Sequence, residues 1–79
     1  MLEWIIYTEE GKGKRLWVAG TAYSAQSAQS QAREALQRAM KNAVMVPDDI
    51  IEFVIENNVD YAGTIEGFLG KTALKKMGL

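Results

Sequence analysis

Ser24 to Ala43 reads SAQSAQSQAREALQRAMKNA, and its periodicity frames the rest of the chain. Wound at about 100° per residue, it gathers Ala25, Ala28, Ala32, Ala35, Leu36, Ala39, Met40 and Ala43 on one face. Gln29 is the one polar residue inside that arc, and the other face is Gln, Ser, Arg, Glu, Lys and Asn. Six alanines make the apolar face shallow. A neighbouring backbone can come close to such a face, so the expected packing partner is flat, as a sheet is. Ser24 is placed to cap the first turn with its hydroxyl. Glu34 and Arg38 stand four apart in the favourable order, worth about 0.2–0.5 kcal/mol.

Upstream, Leu2 to Thr8 (LEWIIYT) is rich in Ile and aromatics and reads as a strand, with Leu2, Trp4 and Ile6 alternating against Glu3, Ile5 and Tyr7. The EEGKGK stretch at residues 9–14 supplies turn glycines, and Arg15 to Ala22 (RLWVAGTA) reads as the returning strand. Residues 2–22 are therefore expected to form a β-hairpin.

Downstream, Pro47 to Asn58 (PDDIIEFVIENN) admits two readings. As a strand it puts Ile51, Phe53 and Ile55 on one face. As a helix it collects Asp48, Asp49, Glu52 and Glu56 in an arc of about 100° that excludes the apolar residues. The proline at the start, acids in the first turn and the Asp49-x-x-Glu52 capping pattern favour a helix over 48–58. Val59 to Gly63 reads as a connection. Thr64 to Met77 (TIEGFLGKTALKKM) fits a last helix over 64–77, although Gly67 and Gly70 each cost about 1 kcal/mol inside it. The expected fold is α+β: one small domain over residues 1–79, with an N-terminal β-hairpin packed by one long Ala-rich helix and followed by two shorter helices.

Composition bounds the chemistry. The chain has 79 residues, 48% of them hydrophobic and 24% charged, which is globular usage. Net charge is −1, so no global field draws it to nucleic acid or an anionic membrane. It contains no histidine and no cysteine. Ser-His and Cys-His catalytic arrangements, the common zinc sites and disulfides are excluded together. A non-enzyme without cofactor or metal is expected. No apolar run approaches the roughly 20 residues of a membrane span, and Met-Leu-Glu-Trp does not begin like a secretory leader. A cytoplasmic location is the corresponding expectation. The GFLGKT stretch (67–72) echoes a phosphate-binding loop, but two residues separate its glycines where that loop needs four.

Two charged clusters remain. Asp48, Asp49, Glu52 and Glu56 form the acidic arc, expected to bind a basic macromolecular partner. Lys12, Lys14 and Arg15, near Tyr7 and Trp17, form a basic hairpin tip, the alternative site for nucleic acid. Glu9 and Glu10 adjoin that tip and dilute its field.

The hairpin followed by Gly20, Ser24, Ala28, Ala32, Ala35 and Leu36 is similar to the C-terminal half of a double-stranded RNA-binding domain. That family places lysines where this chain has Ala25, Gln26 and Gln29. The resemblance covers less than half of the chain and implies shared packing, with no RNA-binding residue carried over. The expected function is that of a small non-catalytic protein-binding or regulatory protein. Size and plainness are similar to those of phage and mobile-element inhibitors that act on nucleic-acid-binding complexes. A nucleic-acid-binding module, or a structural subunit completed by forming a homodimer, are the alternatives.

Overall fold

A computed structural model describes residues 1–42 and 49–76 of the chain. The alternation near the N-terminus is realised as strand β1 (Leu2–Glu10), which turns at Gly11 and Lys12 into β2 (Gly13–Ala22). Their antiparallel register pairs Leu2 with Ala22, Trp4 with Gly20 and Ile6 with Val18. It slips by one residue after Ile6, so that Tyr7 meets Leu16. Helix α1 (Ala25–Lys41) follows, its first turn capped by Ser24, whose Oγ accepts from the Ser27 N–H at 3.1 Å. Strands β3 (Asp49–Ile55) and β4 (Asn58–Thr64) form a second hairpin. Two short helices, α2 (Ile65–Leu69) and α3 (Lys71–Lys76), end the described chain.

The two hairpins join into one antiparallel sheet of order β2-β1-β3-β4, because β3 pairs with the free edge of β1 (Trp4 with Ile55, Ile6 with Phe53). Helix α1 lies on one face of this sheet and buries Ala28, Ala32 and Leu36 against it. From the sheet come Trp4, Ile6, Ala22, Phe53 and Ile55, and from α2 come Ile65, Phe68 and Leu69. Removing a large apolar side chain from water is worth about 1.5–3 kcal/mol, so Phe53, Ile6, Leu36 and Ile50, all fully buried, are the main contributors.

An aromatic line runs along this buried side. Trp4 meets Phe53 edge-on at 6.1 Å, Phe53 meets Phe68 at 5.3 Å, and Tyr61 stacks on Phe68 at 5.1 Å. Arg33 of α1 places its guanidinium 5.1 Å from the Phe68 ring centre and donates from Nε to the Phe68 carbonyl at 3.1 Å. Gln29, the polar residue in the apolar arc, donates to Asp60 on β4 at 2.9 Å. Helix α1 is thus tied to the second hairpin as well as the first.

The molecule is broadly α+β, but a hairpin packed by one helix and followed by two more helices is not its architecture. Residues 49–55 are a strand, not the middle of a helix over 48–58. Ile50, Phe53, Val54 and Ile55 are β-branched or aromatic and suit a pleated surface more than a helix. Glu56 and Asn57, at φ 49° and 68°, make the two-residue turn with positive φ at both positions that matches strand twist. Residues 59–63, expected as a connection, lie within β4. The last helix is broken in two at Gly70, whose φ of 88° ends α2.

Candidate functional site

Among the described residues, helices lie on one face of the sheet only. On the other, strand alternation and register line up Ala19 (β2), Ile5 (β1), Val54 (β3) and Val59 (β4) in one row across all four strands. Beside it lies a second row, Leu16, Tyr7 and Glu52. Antiparallel sheets with one wet face are expected to be polar there, yet Leu16 is 53% and Val59 58% exposed. Between β1 and β2 a depression of about 370 Å³ is lined by Glu3, Trp4, Ile5, Ala19, Gly20 and Thr21. On this face Ala19 offers only a methyl, whereas the space at Gly20 lies on the buried side and is filled by the Trp4 indole.

Charges border the rows. Glu3 is in register with Thr21 at one end, and Glu9 with Lys14 at the other. The Lys14 ammonium donates to Glu52 Oε2 at 2.9 Å and sits 4.4 Å above the Tyr7 ring centre. Its pKa is raised above the ordinary 10.5, first by the hydrogen bond to Glu52. Partial desolvation opposes this rise, and the charges of Glu52 and Tyr7 add to it. Glu56 turns back on β1: its Oε1 accepts the Glu3 N–H at 2.9 Å, while its own N–H donates to the Glu3 carbonyl at 2.9 Å.

The two charged clusters of the sequence are therefore not separate patches. Because 49–55 is a strand, Asp49, Glu52 and Glu56 share no helical arc. Asp49 opens β3, Glu52 is neutralised by Lys14, and Glu56 occupies the turn. Asp48 lies outside the described residues. Lys12 sits in the turn, while Lys14 and Arg15 are successive strand residues on opposite faces, so the three do not converge.

The open-face row was hidden in the sequence because its members come from four separate strands. Ile5 alternates with Glu3 and Tyr7 on the second face of the first strand, and that alternation is the one signal the sequence carries for this row. Among the described residues, no three His, Cys, Asp or Glu side chains are grouped to hold a metal ion, and no helix is long and apolar enough to cross a membrane. Compared with known proteins, the chain matches no family model, no curated protein and no solved structure.

Proposed function

We propose that this is a small non-catalytic binding protein that acts on a macromolecular partner through the open face of its sheet. The observation that carries the reading is the apolar row Ala19–Ile5–Val54–Val59, flanked by Leu16, on a face that no element of the described chain covers. Apolar side chains gathered at the centre of a face, with charges at its border, are the arrangement of a protein-binding surface. Such a face supports regulation by occupying a partner's surface, which needs no reacting group. The test uses the full chain as bait in a lysate of the cells that produce it, beside a Leu16→Ser, Val59→Ser double variant. Both positions are exposed, so the variant keeps its fold, which circular dichroism checks. A discrete partner captured by the parent and lost from the variant is the expected result. Equal capture by both would place the binding site elsewhere.

A further inference from the structure

We infer that the occupant of the open face is an amphipathic helix with a basic border, presented by another protein. This rests on the reading of that face as a binding surface and adds the chemistry of the partner.

The first argument is geometric. The apolar row runs across the strands, through all four of them. Strands are spaced by about 4.8 Å, so three intervals make a row about 14 Å long. A helix rising about 1.5 Å per residue covers that length in about three turns, with anchors spaced i, i+3 or i+4, and i+7. An extended segment would instead add to a sheet edge, β2 or β4, where the unpaired backbone groups are. The depression beside Ile5 is large enough to take one bulky apolar anchor, and Glu3 lines the same depression.

The second argument is charge. The register places Glu3, Glu9 and Glu52 on this face, opposite Thr21, Lys14 and Tyr7, and Glu56 stands at the turn next to Glu3. Among the described strand residues, Lys14, paired with Glu9, is the one cation that the register places on this face, and it is already held by Glu52 and the Tyr7 ring. The border therefore carries an excess of carboxylates. A second copy of the chain would bring the same acidic border against it. Lysines or arginines flanking an apolar helix face complement it, which governs encounter rate and partner choice.

The experiment titrates the ¹⁵N-labelled full chain with synthetic helical peptides of about 14 residues. One carries leucines on a single helical face with lysines around them. A second has the same leucines with glutamates for lysines, and a third scrambles the first. The lysine peptide is expected to shift the amides of Ile5, Ala19, Val54 and Val59. Its affinity should fall at least about tenfold on charge reversal or scrambling, and fall again as salt rises from about 50 to about 300 mM. The Leu16→Ser, Val59→Ser variant should bind it several-fold more weakly. If the glutamate peptide binds the same face equally well, the basic partner is overturned while the face remains a binding surface. If the same amides shift with protein concentration alone, the occupant is a second copy and the inference fails. Shifts confined to the β2 or β4 edge, or no binding by any peptide, also overturn it, and binding that ignores the double variant removes the face itself.

Discussion

Gly20 shows how one missing side chain sets a core. It pairs with Trp4 across the first hairpin, and a Cβ at this position would lie 2.6 Å from an indole carbon. The indole cannot swing aside freely, because it is buried and its Nε1 donates to Gln31 of α1 at 3.0 Å. Gly20→Ala is expected to cost about 1–3 kcal/mol in urea unfolding, the ordinary cost of overpacking. An unchanged midpoint would mean that the indole has room to move. Lys14 offers a second test at this scale. Its pKa is raised in the folded chain, so its contribution to stability is complete below the unfolded value near 10.5 and is lost as pH rises through the folded value. A side-chain NMR titration should find Lys14 deprotonating above the ordinary lysine range, and Glu52→Gln should bring it back down.

Among the elements, α1 is the one whose sequence is closest to self-explanatory. Its cap, its Glu34–Arg38 pair at 2.9 Å and its buried Ala28, Ala32 and Leu36 follow from periodicity and local chemistry. Ala32→Leu should overpack the contact with the sheet and destabilise by about 1–3 kcal/mol, whereas Ser24→Ala should cost about 1 kcal/mol through the lost cap. Both are read from thermal or urea unfolding, and a neutral Ala32→Leu would mean that α1 stands off the sheet. Strand β3 was the opposite case. Its acids at 49, 52 and 56 mimic a helix face because their spacing is near-helical, although each is used differently: Glu52 binds Lys14, and Glu56 binds β1. Its β-branched residues are a local signal for a strand, but the partner edge of β1, where Glu3 bonds Glu56, 53 residues away, lies outside any local window. β4 is obscured for a related reason: a register shift puts Val59 and Tyr61 on opposite faces, and most of its residues are exposed. The open face inherits this illegibility, being assembled from four strands of which two escaped local reading.

Taken whole, the molecule is a two-layer object, and its least extent is 20 Å. One layer is the sheet, the other is α1 with α2, and among the described residues no third layer covers Leu16 and Val59. Residues that are more than half exposed contribute little to folding, so the Leu16→Ser, Val59→Ser variant should stay within about 0.5 kcal/mol of the parent per site. A larger loss in urea unfolding would show that the open face supports the fold itself. At 79 residues the core is near the lower limit for independent stability. Every buried aromatic contact is therefore a large share of the total, and truncating Trp4, Phe53 or Phe68 is expected to be costly.

The placement of β1 between β2 and β3 also dictates the order of events when the chain folds. The earliest-made strand has one neighbour available almost at once and another that arrives only after α1 has been made. The first hairpin can close quickly, but the β1–β3 ladder must first bring together groups as distant as Glu3 and Glu56, at the entropy cost of a long loop. Docking of the second hairpin onto β1 is then the expected slow step, with the β1 edge left bare until it occurs. In stopped-flow refolding, Val54→Ala should slow the folding arm, because Val54 pairs with Ile5 in that ladder. Lys71→Ala, beyond the sheet in α3, should leave that arm where it is.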